Sequence, residues 1–213
     1  REDTGAMARE SGILCHITSM PSRFGVGDMG AGVRRFLDSL QDAKQKLWQI
    51  LPLGPTGYGN SPYQPFSAFA GNPLLIDLES LVSQGFLGER DVTPASPFPA
   101  REVLYNKVMA FKDRALRRSY QNFLHSAPDS LRGTWEVFQQ ENDYWLEDFC
   151  LFMALRRHFD GTVWTDWDRD IALRERKALV YWRKRLENEV NYQKYLQFLF
   201  YRQWEQVRAY AHE

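Results

Sequence analysis

The chain has 213 residues, of which 44% are hydrophobic and 25% are charged, and its 27 Lys and Arg residues balance 27 Asp and Glu residues. This mixture is typical of a globular protein and excludes a disordered or collagen-like chain. Zero net charge argues against a partner that is a nucleic acid or a membrane, because binding to either needs a concentrated positive field. Aromatic residues make up 15% of the sequence, which suits a sugar-binding surface, a partner interface or a large core.

The N-terminus and the cysteines indicate the compartment. Residues 1–10 are predicted to be a flexible N-terminus or a tag remnant, with Met7 as a candidate native start. Residues 1–7 have no apolar core and do not fit a signal peptide. Cys15 and Cys150 lie far apart in apolar runs, which favours two buried free thiols in a reducing cytoplasm over a disulfide. No apolar run approaches the length of a transmembrane helix.

The first regular elements are predicted to form a strand, a helix and a second strand. Residues 12–17 and 47–53 are short apolar runs, typical of strands buried on both faces. Between them, apolar residues from Val33 to Leu40 recur at the i, i+3, i+4, i+7 spacing of an amphipathic helix, with Asp28 as a candidate N-cap. This order predicts a parallel sheet and the α/β fold class.

The rest of the chain is a long loop followed by mostly helical sequence. Residues 54–73 are rich in Gly, Pro, Ser and Tyr, and Leu75 to Leu78 begin either a short strand or a helical turn. A connector with three prolines between positions 94 and 99 is too Pro-rich for regular structure. Helices are predicted around 105–115, around 145–153, and from about Arg174 to the end. The last helix carries a broad aromatic stripe, which needs a partner layer because it would otherwise leave large rings in water.

Two convincing strands are too few for a complete parallel sheet, which needs several strands with both faces covered. Residues 74–213 offer mostly helix and no third strand. The sequence therefore predicts one part of a larger domain.

Two short motifs fit known ligand sites but stand in the wrong context. Residues 25–30 fit the G-x-G-x-x-G dinucleotide pattern, but the first glycine follows the strand too late and no acid ends the second strand. Residues 166–170 read Asp-Trp-Asp-Arg-Asp, but a calcium loop would need Gly and Glu where Ile171 and Lys177 stand. Acids at a helix start explain this segment better, and a metal-binding Asp-x-Asp of a nucleotide-sugar transferase is the remote alternative. We predict no metal and no cofactor.

Two further candidates have simple structural interpretations. His16 lies at a strand end, where parallel-sheet enzymes keep their sites, although a hydrogen-bonded core histidine is the favoured interpretation. Glu147 and Asp148 are neighbours on a predicted helix, so they face different ways and cannot flank one glycosidic bond.

The loop after the second strand carries the groups that a carbohydrate site needs. An aromatic face covers the apolar C–H face of a sugar ring, and amides and hydroxyls exchange hydrogen bonds with its hydroxyl groups. By this chemistry, a sugar-binding loop and a purely structural loop are equally good interpretations. The candidate substrate-binding residues are Tyr58, Asn60, Ser61, Tyr63 and Gln64.

Longer segments make a family recognisable. Residues 11–21, 48–64 and 66–73 resemble the N-terminal part of glycoside hydrolase family 77, the 4-α-glucanotransferases also called amylomaltases or disproportionating enzymes. Residues 145–155 and 200–204 are similar to the same family further along. The resemblance implies the N-terminal part of a (β/α)₈ TIM barrel with a large, mostly helical insertion. The implied units are the first βαβ unit with its substrate loop at 11–73, the insertion at 74–190 and the second barrel helix at 191–213.

The resemblance also implies an activity for the whole enzyme. Such an enzyme cleaves an α-1,4-glucan and transfers the released segment to another glucan or maltooligosaccharide, with an Asp nucleophile and a Glu acid and base. In the family these carboxylates lie on later strands, so we expect no catalytic residue here and no activity from this chain alone.

What the resemblance assigns to this chain is substrate binding. Tyr63 matches the tyrosine that stacks on the sugar at the cleavage subsite, and Ser61 lies beside it. Tyr58 matches an aromatic residue of a secondary glucan site, whose second aromatic position falls on Met109. The alternatives are a non-catalytic glucan-binding unit and a self-associating one, since an exposed sheet edge favours association.

Overall fold

The computed structural model describes residues 9–57 and 61–213, which are mostly helical and contain one two-stranded parallel sheet. The strands are β1 (Gly12–Leu14) and β2 (Leu47–Gln49). The α-helices of these residues are α1 (Ala31–Asp42), α2 (Leu78–Ser83), α3 (Tyr105–Ser126), α4 (Asp129–Glu141), α5 (Asp143–His158), α6 (Arg169–Ala172), α7 (Arg176–Arg185) and α8 (Glu187–His212). The predicted flexible segment 1–10 lies largely outside the described residues.

The predicted strand–helix–strand unit is present, and its sheet is parallel. Gly12 pairs with Leu47, and Leu14 pairs with Gln49. Both strands are shorter than the apolar runs at 12–17 and 47–53. A 3-10 turn begins at Ile17, and Pro52 has no N–H to donate to a ladder.

The prediction that both faces of these strands are buried is wrong within the described residues. Ile13, Leu14 and Leu47 are exposed, while Trp48 is half-buried against Phe36 of α1 with ring centroids 5.6 Å apart. The reason is topological, because each strand has only the other as a sheet neighbour among residues 9–57 and 61–213.

Asp28 is not the N-cap of α1. Gly30 occupies that position, and the Asp28 Oδ1 atom accepts a hydrogen bond from the Gly30 N–H at 3.3 Å. The Asp28 carboxylate instead accepts from the Ser22 hydroxyl at 2.9 Å and lies 3.4 Å from the Lys112 ammonium. It therefore joins the start of α1 to α3.

The aromatic stripe near the C-terminus packs against other helices of the same chain. Helix α8 packs most extensively against α5 and also contacts α1, α3, α4 and α7. Its aromatic residues Tyr192, Tyr195, Phe198 and Phe200 are buried. The helix starts at Glu187 rather than near Arg174, because Leu186 (φ −106°, ψ 18°) interrupts the helical backbone between α7 and α8.

The segments that connect the main helices can be compared with the predictions made from the sequence. Leu75 to Leu78 form helical turns rather than a strand: a 3-10 turn over Pro73–Leu75 leads into α2, which the Asp77 carboxylate caps by accepting from two backbone N–H groups. Residues 94–99 contain neither helix nor strand. Both cysteines are free; Cys150 is buried as predicted, and Cys15 is half-buried. None of the described helices combines the length and apolar content needed to cross a bilayer.

Candidate functional site

The loop after β2 folds back on itself. Thr56 and Pro65 form an isolated antiparallel bridge, the Gly57 N–H donates to the Gln64 carbonyl at 3.0 Å, and the Phe66 N–H donates to the Pro55 carbonyl at 3.2 Å. These bonds join residues 55–57 to residues 64–66, and the Gln64 N–H donates to the Ser61 carbonyl at 3.3 Å, so that residues 61–64 form a turn.

Three of the five predicted sugar-binding residues meet on this turn. The Tyr63 ring is 69% exposed, Gln64 is exposed and Ser61 is half-buried. The Ser61 Oγ atom accepts from the Tyr63 N–H at 3.3 Å, which leaves its O–H free to act as a donor. Tyr58 and Asn60 lie outside the described residues.

Two buried glutamines of α8 hold the base of the loop. The Gln197 side chain accepts from the Gly71 N–H at 2.7 Å and donates to the Gly71 carbonyl at 3.1 Å. Six residues later in each segment the arrangement repeats. The Gln203 side chain accepts from the Asp77 N–H at 2.7 Å and donates to the Asp77 carbonyl at 3.0 Å. Because a buried amide or carbonyl without a partner costs about 1–3 kcal/mol, these bonds fix the loop against the helix.

The contact at Gly71 leaves no room for a side chain. A Cβ atom added there would lie 2.0 Å from the Phe200 ring. Glycine at this position therefore lets the loop backbone reach α8, where the Gln197 amide binds it.

Aromatic rings support the loop on its outer side. Phe69 packs edge-on against Tyr144 and stacks on Trp145, with ring centroids 5.5 and 6.0 Å apart. The Tyr201 hydroxyl donates to the Phe69 carbonyl at 2.5 Å. Phe69 and Tyr144 are both exposed, so they extend the aromatic surface beyond Tyr63.

A cleft of about 540 Å³ lies between the loop and helices α3 and α5. Phe66 forms one wall, and the Arg156 guanidinium lies 4.4 Å from the centroid of its ring. Met109, the position that the resemblance assigns to a secondary glucan site, lines the same cleft.

Polar side chains lie at the two ends of the loop. The Lys112 ammonium donates to the carbonyls of Leu74 and Ile76 at 2.6 and 2.8 Å, and burial lowers the pKa of this lysine. At the other end, the His16 Nε2 atom lies 3.4 Å from the Pro52 carbonyl, and Nδ1 lies 2.7 Å from the Thr18 hydroxyl. His16 is thus hydrogen-bonded as the favoured interpretation requires, but it is half-buried rather than part of the core.

The family model described as 4-alpha-glucanotransferase, glycoside hydrolase family 77, matches residues 15–213. The chain belongs to this family.

Individual relatives agree with the family match. The chain is 47% identical to a 4-alpha-glucanotransferase of Synechocystis sp., over 96% of this chain and 41% of that protein. It is 42% identical to one from Thermus thermophilus, over 96% of this chain and 40% of the relative. The chain therefore spans about two fifths of the length of the curated relatives it matches.

A solved structure matches the fold. The amylomaltase from Streptococcus agalactiae in complex with acarbose superposes with a TM-score of 0.90 at 37% identity, covering 96% of this chain and 41% of that one. The described helices and the parallel strand pair thus match part of that amylomaltase structure.

The other charged candidates of this chain do not converge on a site. Glu147 pairs with Lys194, whereas Asp148 pairs with Arg174 and Arg183, so the two acids face apart as predicted. No group of three or more His, Cys, Asp or Glu side chains in residues 9–57 and 61–213 is arranged to hold a metal ion.

The acids of the 166–170 motif lie around the start of α6. Asp168 occupies the N-cap position without a side-chain bond, and the Asp170 carboxylate accepts from the Ile171 N–H at 2.7 Å. These acids lie where the sequence placed them, at a helix start.

Sequence reasoning missed the residues that hold the loop. Gln197 and Gln203 lie within an apolar stripe and gave no chemical signal of their own. The available signal was the shared spacing of six residues, from 71 to 77 and from 197 to 203, which has meaning only once the two segments are known to be neighbours.

Proposed function

We propose that this chain is the N-terminal, substrate-binding part of a 4-α-glucanotransferase that transfers segments of α-1,4-glucans between maltooligosaccharides. The observation that carries the proposal is the hydrogen-bonded turn of residues 61–64, which presents the exposed Tyr63 and Gln64 after β2 in a chain of this family. The reaction is a retaining double displacement, and its catalytic Asp and Glu come from outside these 213 residues.

The barrel assignment extends the same proposal. β1 and β2 are the first two strands of a (β/α)₈ barrel, and the substrate loop follows the second strand at its carboxyl end, where barrel enzymes bind substrate. The units are the βαβ unit with its loop at 11–73, the helical insertion at 74–190 and the second barrel helix at 191–213. The free cysteines support a cytoplasmic location.

Each exposed residue of the turn has a chemical role in this proposal. The Tyr63 ring stacks on the sugar beside the cleaved bond, and Ser61 and Gln64 exchange hydrogen bonds with sugar hydroxyls, joined by Asn60. Tyr58 contributes to a secondary glucan site, whose second aromatic position falls on Met109.

Substitution of Tyr63 in the intact protein tests the function. We expect Tyr63→Ala to lower kcat/KM for transfer from maltotriose by about 10²-fold, because the sugar loses the surface that orients it. Tyr63→Phe should keep most of the activity, since the ring remains. Tyr181→Ala, which removes an exposed tyrosine of α7, is the matched control. An unchanged kcat/KM in Tyr63→Ala would contradict this role.

A second candidate function is self-association without catalysis. The exposed apolar residues Ile13, Leu14 and Leu47 on the strand pair favour it, because a parallel sheet edge pairs readily with another chain.

A further inference from the structure

A second cleft, of about 330 Å³, lies among α5, the 3-10 turn Trp164–Asp166, α6 and α7. Its walls are apolar, and its lining includes Leu155, Trp167, Ile171 and Leu179. This volume lies at the lower end of the range of small-molecule sites, about 300–1,000 Å³. The Asp-rich motif that first suggested calcium thus contributes to the wall of an apolar cleft.

The cleft has an exposed indole that the backbone holds in place. Trp164 is 52% exposed, whereas Trp167, three residues later, is 8% exposed. The turn between them is fixed by the Asp166 N–H, which donates to the Val163 carbonyl at 2.9 Å, and by the Trp167 indole N–H, which donates to the Thr162 carbonyl at 3.0 Å. The Trp164 indole therefore lines the cleft and remains open to a ligand.

The cleft also has a polar side. The Asp148 carboxylate accepts from the Arg174 guanidinium at 2.6 Å and from Arg183 at 3.1 Å. Asp148 and Arg174 both line the cleft, and more than half of each side chain is exposed. A carboxylate accepts two hydrogen bonds side by side, and a guanidinium donates two side by side. Neighbouring hydroxyl groups of a pyranose ring can bind to both, since each hydroxyl donates and accepts.

The Trp164 indole offers an apolar face, and the Asp148–Arg174 pair offers both an acceptor and donors. This combination fits a sugar better than a lipid, which lacks the hydroxyl groups, or an anion, which the carboxylate repels. We propose that this cleft is a glucan-binding site, separate from the loop, that takes one or two glucosyl units through Trp164 and the Asp148–Arg174 pair. The choice of α-1,4-glucan among saccharides rests on the proposed function.

Phe152 connects this cleft to the substrate loop. Its ring lies 5.9 Å from Phe66 on the loop side and 5.7 Å from Trp167 on the cleft side, measured between centroids. A long glucan held in the cleft is therefore tethered close to the loop, which raises its effective concentration there. A short oligosaccharide that fills one site gains nothing from the other.

The test compares long and short glucans in the intact protein. Affinity for amylose is measured by retardation in native gels, and transfer is measured on maltotriose. We expect Trp164→Ala to weaken amylose binding by about tenfold or more, since it removes one of two linked sites, while kcat/KM on maltotriose changes less than about twofold. Arg174→Ala should weaken amylose binding in the same direction, and Tyr181→Ala, outside the cleft, should leave both readouts unchanged.

Each result decides the matter. If amylose retards Trp164→Ala and Arg174→Ala as much as it retards the unmodified protein, the proposed glucan site in the cleft is refuted. A parallel loss on amylose and maltotriose also overturns it, because the change then acts on the transfer site. Failure of the unmodified protein to transfer from maltotriose would refute the proposed function alone, and the amylose shift of Trp164→Ala would still decide the cleft.

Discussion

His16 shows how one side chain joins two segments and makes that junction sensitive to acid. Its Nδ1 atom accepts from the Thr18 N–H at 3.3 Å, so the proton resides on Nε2, which faces the Pro52 carbonyl at the start of the loop. Burial lowers the pKa of His16, because a charged imidazolium would lose its water shell.

This lowered pKa predicts a loss of stability in acid. In the unfolded chain His16 titrates near pH 6.5, and in the folded chain it binds its proton less readily. Its contribution to the free energy of unfolding is therefore fully present above about pH 6.5 and is lost as the pH falls through the lowered pKa of the fold. Melting curves between pH 8 and 5 measure this.

The comparison uses His16→Gln, which keeps a donor but cannot titrate, and His125→Gln, which changes an exposed histidine of α3. As the pH falls, we expect the Tm of His16→Gln to decrease less steeply than that of the unmodified protein. The Tm of His125→Gln should decrease as steeply as that of the unmodified protein. Parallel curves for all three proteins would show that His16 does not titrate with folding.

At the scale of elements, α8 carries the loop. The two bonds from Gln197 to Gly71 span the contact where the loop after β2 meets the core. Gln197→Leu keeps the apolar packing but leaves a buried N–H and a buried carbonyl without partners. We expect it to lower the free energy of unfolding by about 1–3 kcal/mol for each unpaired group and, in the intact protein that supplies the catalytic carboxylates, to raise KM for maltoheptaose as the loop shifts.

The control for this change lies on the same helix. Gln206 is exposed on α8, so Gln206→Leu adds the same side chain without removing a buried bond. Urea denaturation and initial rates on maltoheptaose distinguish the two variants. Equal stability and equal KM in both would contradict the assigned role of Gln197.

Helices were easier to predict than the ends of the strands. α3 and α5 lie where the apolar spacing placed them, because each helix turns a polar face to water and an apolar one to its neighbours. The strands stop before Ile17 and Leu53, although the apolar run continues, because backbone hydrogen bonding and not side-chain character decides where a strand ends.

Candidate residues that stand in one segment could be proposed from the sequence. Ser61, Tyr63 and Gln64 are close in sequence and form one turn, and their role in sugar binding stays a prediction, since composition fitted a structural loop equally well. The Phe69–Tyr144 pair and the Gln197 contact join residues far apart in the chain, and no local pattern indicates such pairs.

At the scale of the whole molecule, the exposed strand pair predicts association of the 213-residue chain. Leu14 and Leu47 are exposed apolar residues on a sheet whose two strands, within the described part of the chain, have no other sheet neighbour. We expect light scattering to give a mass that rises with concentration, and the double variant Leu14→Lys, Leu47→Lys to remain monomeric, because charge on an edge opposes pairing.

Val180→Lys provides the comparison, because Val180 is equally exposed but lies on α7, away from the strands. It should associate like the unmodified chain. A monomeric mass for the unmodified chain at every concentration would refute association through this edge.

The contacts of α8 also set an order of events during synthesis. Gln197 and Gln203 each bind a backbone group 126 residues earlier in the chain, so both bonds wait until α8 has left the ribosome. Helices α3 to α5 are made of local contacts and can form before that moment, whereas closing so long a stretch is slow. The turn that carries Tyr63 is thus translated early but gains its final support late, and a nascent chain that stalls before α8 has this turn without the base that holds its loop.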